Sequence, residues 1–241
     1  MDLVVYRDES VPYAYASALA KRVGAPLSDS PGDGLTLAAD SSGLSLSGYG
    51  LRFRGDFEPM LRRIGSGRLQ HEMLVKLAKT KSAHPVAVDA TAGMGEDALL
   101  LAAAGYEVRL FESDAVIAAL LKDALQRAKK NPQLADIVGR MTLIEGDSVD
   151  GMARLTVEPE LVYLDPMFPA RGKSGLVNKK LQLIQKLEQP CAQEEELLAA
   201  ACALHPKKII IKRPLNGAFL AGRKPSYSVK GKAIRYDCIV L

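Results

Sequence analysis

The spacing of hydrophobic residues changes character once along this chain. Up to residue 66 they fall in short alternating segments: LVVYR at 3–7, GLTLAA at 34–39, GLSLSG at 43–48 and LRFRGDF at 51–57, separated by Gly, Asp and Ser. Alternation broken by turn formers predicts short strands in a small sheet. AYASALAKRV at 14–23 predicts one short helix, with a turn over 29–34. Residues 1–66 therefore read as a small α+β subdomain.

From residue 67 the period lengthens. GRLQHEMLVKLAKT at 67–80 carries Met73, Leu74 and Leu77 at helical spacing and predicts a packing helix. Then strands alternate with helical stretches. VAVDA, YEVRLFE, MTLIEGD, LVYLD and KKIIIKR are five predicted strands. Helices are expected after the glycines at 93 and 95, over about 114–130, and within 176–204. This order predicts a mostly parallel sheet covered on both faces, spanning 67–241. SYSVK and KAIRYDCIVL, joined at Gly231, add a strand pair and an antiparallel edge. In such sheets ligands bind beyond the carboxyl ends of the strands.

Composition narrows the class. The 241 residues are 48% hydrophobic and 25% charged, a globular balance. No run of 18 uncharged apolar residues suggests a membrane span, and MDLVVYRDES lacks the pattern of a secretory signal. Cys191, Cys202 and Cys238 form no C-x-x-C unit and the three histidines are scattered, so no metal cage is expected and a reducing cytoplasm is. The net charge of +4 is mild, yet its distribution is uneven. Arg52, Arg54, Arg62, Arg63 and Arg68 form one group, Arg171, Lys173, Lys179 and Lys180 another, and Lys207 to Arg235 a third. Each suits phosphate contact as well as ordinary solvated surface.

The first candidate site is DATAGMGED at 89–97, between a strand and a helix. Gly93 and Gly95 let backbone approach a ligand, but Asp97 stands where a dinucleotide fingerprint has its third Gly. Glu96 and Asp97 crowd the helix start with negative charge, which disfavours a diphosphate and favours a cationic ligand. Glu112 ends the second strand, where a carboxylate can accept ribose hydroxyls. Asp147 and Ser148 follow the third and are placed for an adenine amino group, and Asp89 ends the first, where it can order the turn or hold an amine through water. Each acid alone is also a common turn former or helix cap. Together with Asp165 they imply an adenosine with a cationic tail and no phosphate, which S-adenosylmethionine satisfies.

The second candidate site is LVYLDPMFP at 161–169. Asp165 stands at the sheet's carboxyl edge, and Pro166 and Pro169 restrict the loop. An exocyclic base amine is a poor nucleophile because its lone pair is delocalised into the ring. Asp165 and the Pro166 carbonyl can each accept one of its N–H groups and favour the charge that develops on nitrogen. Phe168 offers a ring for stacking on the base, and Met167 a packing contact. Arg171, Lys173, Lys179, Lys180, Lys212 and Arg213 are the candidate grips on a nucleic-acid backbone.

VDATAGMGEDALLLA, VRLFESDAVIAALLKDAL, LVYLDPMFPARGKSGLVNKK and IIIKRP resemble the bacterial small-subunit ribosomal RNA methyltransferases of the J type, which modify the exocyclic N2 of one guanine in 16S RNA. The resemblance runs from about Arg62 to Arg235. It implies a class I, Rossmann-like methyltransferase fold with a seven-stranded sheet and S-adenosylmethionine as cofactor. It further implies 16S ribosomal RNA or the small subunit as partner. The donor-binding positions it implies are Glu96 and Asp97, Glu112 and Ser113, Asp147 and Ser148, and Asp165. The chain departs from the family at Glu96 and Ser113, where basic residues are commoner. Adenine-N6 methylation of RNA or DNA, methylation of a protein amide, and a non-catalytic RNA-binding assembly factor are the competing readings. The missing third glycine argues against a dehydrogenase.

Overall fold

The computed structural model describes residues 3–167, 183, 184, 187 and 193–241. Two sheets organise these residues. The smaller has five strands: β1 (Leu3–Arg7), β2 (Leu27–Ser28), β3 (Leu35–Asp40), β4 (Gly43–Gly48) and β5 (Leu51–Phe53), in the order β2-β1-β3-β4-β5. Helix α1 (Tyr13–Val23) supplies the crossover from β1 to its parallel neighbours β2 and β3. It ends at Gly24, whose left-handed φ of 66° lets its N–H reach the last turn's carbonyls. β3, β4 and β5 then meander antiparallel.

Short helices α2 (Leu61–Ile64) and α3 (Met73–Leu77) lead into the larger sheet. The helix expected over 67–80 is divided into a 3₁₀ turn at Leu69–His71 and α3. Extended Glu72 separates them, its carboxylate gripped by the Arg63 guanidinium through two contacts of 2.8 Å. A tertiary ion pair has overridden local helical spacing here.

The larger sheet contains β6 (Val86–Asp89), β7 (Glu107–Glu112), β8 (Met141–Glu145), β9 (Leu161–Leu164), β10 (Lys208–Pro214), β11 (Tyr227–Lys230) and β12 (Ile234–Val240). Their order is β11-β12-β10-β9-β6-β7-β8. β12 runs antiparallel to both β10 and β11, and the remaining pairings are parallel. The reversed strand thus lies one place in from the edge, inside β11. Helices α4 (Glu96–Ala103), α5 (Ala115–Ala128), α6 (Ala135–Gly139), α7 (Ser148–Ala153) and α8 (Glu194–Ala203) complete the described fold. The sheet order changes direction at β6 and β9, where crossovers leave for opposite sides and open a crevice at the carboxyl edge.

Helix α5 joins the two units. Val116, Ile117, Ala119 and Leu120 pack with the small sheet, whereas Leu121, Ala124, Leu125 and Ala128 join the core of the large one. Nine of its fourteen residues are buried, as expected of a helix covered on two sides. Asp114 caps it, accepting the N–H groups of Val116 and Ile117 at 2.9 Å. The small sheet is therefore built onto the large one through a shared helix.

Candidate active site

Strand alternation decides which side chains meet. Ala87, Leu161, Tyr163, Ile210 and Tyr236 pack on one face of the sheet, while Val88, Val162, Leu164, Ile209 and Ile211 pack on the other. Continuing the period of two to the carboxyl ends puts Asp89, Asp165 and Lys212 on the side of Tyr163 and Tyr236. Helix α4 covers that side, and Asp97 in its first turn closes over the group.

The result is an ion cluster around one ammonium. Lys212 Nζ lies 2.8 Å from Asp97 Oδ2 and 2.8 Å from Asp165 Oδ2. The Tyr163 hydroxyl donates to the same Asp97 oxygen at 2.6 Å. The Asp165 backbone N–H donates to Thr91 Oγ1 at 2.6 Å, fastening the end of β9 to the glycine-rich turn. Asp89 is 1% exposed and accepts the Thr91 N–H at 3.1 Å. Burial pushes its carboxyl up to about 8, the charges of Asp97 and Asp165 adding to the rise. Asp89 is thus mostly protonated at neutral pH. Burial also raises the Asp165 carboxyl, against the downward pull of the Lys212 ammonium. Lys212 itself is raised by its two carboxylates despite its burial.

Beside this cluster lies a cleft of about 550 Å³. Its wall includes Thr91, Gly93, Glu112, Ser113, Asp147, Ser148, Asp165 and Pro166, with Gln193 and Leu197 from the start of α8. The Glu112 carboxylate orders one side: Oε2 accepts the Gly93 N–H at 2.9 Å and Oε1 the Asp114 N–H at 2.8 Å. Gly93 meets it with a left-handed φ of 52°. Asp147 Oδ1 caps α7 by accepting the N–H groups of Val149 and Asp150 at 2.8 and 3.2 Å. Four carboxylates, Glu112, Asp114, Asp147 and Asp165, line the cleft, and no Lys or Arg does so among the described residues. This wall suits a cationic, phosphate-free ligand and opposes a diphosphate.

The family described as "Putative SAM-dependent methyltransferase" matches residues 52–241. The chain is 38% identical to ribosomal RNA small subunit methyltransferase J of Thioalkalivibrio sulfidiphilus, over 93% of this chain and 92% of the relative. It is 42% identical to the protein of the same name from Nitrosococcus oceani, over 73% and 70% of the two chains. This chain belongs to the ribosomal RNA small subunit methyltransferase J family. A crystal structure of a SAM-dependent methyltransferase from Neisseria gonorrhoeae has the same fold, with a TM-score of 0.76, 30% identity, and coverage of 98% of this chain and 95% of that one. The protein is accordingly an S-adenosylmethionine-dependent methyltransferase of class I fold, and the acidic cleft fits that cofactor.

Within this methyltransferase J family member, the residues expected to act separate into three sets. Gly93, Glu112, Ser113, Asp147, Ser148, Asp165 and Pro166 share the cleft. Asp89, Gly95, Glu96 and Asp97 lie outside its wall. Asp89 holds the turn from beneath, and Gly95 (φ 75°) packs so closely on Leu121 that a Cβ would stand 2.9 Å from Leu121 Cδ1. Glu96 faces a different hollow, lined by Arg52, Arg54 and Arg127, and Asp97 joins the ion cluster. Phe168, Arg171, Lys173, Lys179 and Lys180 lie outside the described residues.

The two remaining residues are engaged within the fold. Lys212, expected at an RNA phosphate, is turned inward to Asp97 and Asp165 because its strand parity points it under α4. Arg213 is 3% exposed, donates to the Ala218 carbonyl at 2.8 Å and pairs with Glu194, so it holds the loop after β10. Thr91, Tyr163 and Asp114 are functional neighbours that sequence reasoning passed over. Thr91 sat in the quoted turn, and Tyr163 shares the parity of Asp165, which is the signal that would have found it.

Proposed function

We propose that this chain transfers a methyl group from S-adenosylmethionine to the exocyclic N2 of a guanine in 16S ribosomal RNA, presented by the RNA or by the small subunit. The observation that carries the reading is that Asp165 and Pro166, the start of the amine-accepting loop, line the same cleft as Glu112, Asp147 and Ser148. Family membership supplies the substrate class, through relatives named ribosomal RNA small subunit methyltransferase J.

On this reading Glu112 receives the ribose hydroxyls and Asp147 with Ser148 the adenine edge, while the carboxylates of the wall favour the cationic tail. The cofactor supplies a methyl group on a sulfonium, whose departure as a neutral thioether needs no metal. Asp165 and the Pro166 carbonyl accept the two N–H groups of the guanine amine and aim its nitrogen at the methyl. They also stabilise the positive charge that grows there, and the surplus proton on nitrogen leaves to Asp165 or to water as the N–C bond forms. Phe168 stacks on the base, and Arg171, Lys173, Lys179 and Lys180 grip flanking phosphates. A paired target base is first flipped out, at a few kcal/mol. We take residues 1–66 and 67–241 as the small and catalytic units. Incubation with labelled S-adenosylmethionine and either naked 16S RNA or assembled small subunits, followed by nucleoside analysis, tests the assignment. Label in N2-methylguanosine supports it; label in N6-methyladenosine moves the reaction to the other amine.

A further inference from the structure

We propose that Lys212 is a positioning residue: its ammonium orients the Asp165 carboxylate toward the acceptor amine and ties it to Asp97 at the head of α4. One cation thereby registers the acceptor loop against the turn that builds the donor side. The inference rests on the reading of Asp165 as the group that meets the amine.

The geometry leaves Lys212 little freedom for another task. Its side chain is 26% exposed, and two of its three donors are spent at 2.8 Å on Asp97 and Asp165. Asp97 is in turn fixed by the Tyr163 hydroxyl. Asp165 is thus held twice, by its backbone N–H on Thr91 and by its carboxylate on Lys212. With the backbone and one carboxylate oxygen fastened, the plane of the carboxylate is set before RNA arrives. A reacting group misplaced by 1 Å loses about 10²-fold in rate, so orientation of this kind is worth as much as a direct contact. Swinging Lys212 out to a phosphate would leave the Asp97 and Asp165 carboxylates beside Asp89 without their shared cation.

The same ammonium sets the charge of Asp165. The charges acting on this carboxylate are Lys212 of β10 and Asp97 of α4 on its own side of the sheet and, from the other side, Arg213 of β10. Asp89 of β6 lies beside them, and Tyr236 of β12 and Arg63 of α2 border Lys212 and Asp97. Among them Lys212 alone touches Asp165 with positive charge in the described contacts. An ionised Asp165 accepts N–H groups at both oxygens, whereas a protonated one presents an O–H to the amine. Removing the ammonium leaves only the weaker pull of Arg213 against burial and Asp97, so Asp165 takes up its proton at higher pH.

Two measurements on Lys212→Met and Lys212→Arg test this. The first is a ¹³C-carboxyl NMR titration of Asp165, assigned with Asp165→Asn, which needs neither cofactor nor RNA. Its midpoint should move upward in the Met variant and return toward the wild-type value in the Arg variant. The second is the pH profile of single-turnover methyl transfer. At neutral pH the Met variant should lose about 10²-fold in rate. Its acid limb should shift to higher pH, the RNA KM should change less than kcat, and the Arg variant should recover part of the loss. An unmoved Asp165 midpoint in a folded Met variant overturns the proposal. So does a raised RNA KM with a shallower salt dependence and an intact kcat, which would return Lys212 to phosphate binding. Because the NMR arm is independent of turnover, failure of the guanine assignment leaves it decisive for Lys212.

Discussion

Asp89 makes stability depend on pH in a direction opposite to that of a typical carboxylate. Its ordinary value is 3.8 and burial lifts it to about 8 in the fold. Below the unfolded value both states carry the proton, and its contribution to stability is fully present. Between the two values folding must take up one proton, and stability falls as pH rises through the folded value. The limiting slope for one proton is about 1.4 kcal/mol per pH unit. Asp89→Asn keeps a carbonyl oxygen for the Thr91 N–H and removes the titration. Urea unfolding of both proteins at about pH 5, 6, 7 and 8 isolates the effect, because the other acids contribute to both curves. Over two pH units on the rising side, wild type should lose up to about 3 kcal/mol relative to Asp89→Asn. Stabilities that run parallel across this range would refute the assignment of a protonated, buried Asp89.

Three further substitutions probe neighbouring parts of the site. Gly151→Ala places a Cβ against the Phe111 ring, inside van der Waals contact, so the protein should lose about 1–3 kcal/mol despite alanine's better helix propensity; an unchanged melting temperature would mean that Phe111 moves aside. Glu112→Gln turns one acceptor into an amide donor facing either the Gly93 or the Asp114 N–H. Calorimetry should show S-adenosylmethionine binding weakened by about tenfold or more, and full affinity would relocate the ribose contact. Arg213→Met breaks the part-buried contacts to Glu194 and the Ala218 carbonyl and should cost about 1–3 kcal/mol in stability. The slope of RNA affinity against salt should stay unchanged, and a shallower slope would restore Arg213 as a phosphate contact.

The sheet was legible because its strands carry enough Val, Leu and Ile to show their period, and each of β6 and β7 ends in an acid that interrupts it. Acids at the strand ends point to one sheet edge, and Glu112, Asp147 and Asp165 do line one cleft there. The inward contacts of Lys212 and Arg213 were not legible for one reason. Consecutive basic residues look like surface, and their partners Asp97, Asp165 and Glu194 are distant in sequence. Alternation along β10 separates the two side chains to opposite faces, but choosing the inward partners requires knowing that β10 lies beside β9. The two-residue β2 was too short to show a period at all. The double role of α5 depends on which sheets flank it, which its own residues do not specify. Asp89 illustrates a related limit: its residue type signals a charge, whereas its burial at a central strand end makes it mostly neutral.

The most direct test of the account is made in cells. The gene is deleted from its host, and the 16S RNA is digested to nucleosides and measured by mass spectrometry. The deletion should lose one N2-methylguanosine per 16S RNA. Wild-type protein should restore it, and Asp165→Ala, expressed and folded, should not. A deletion strain with its full complement of N2-methylguanosine, or restoration by Asp165→Ala, would contradict methyl transfer to that amine by this site.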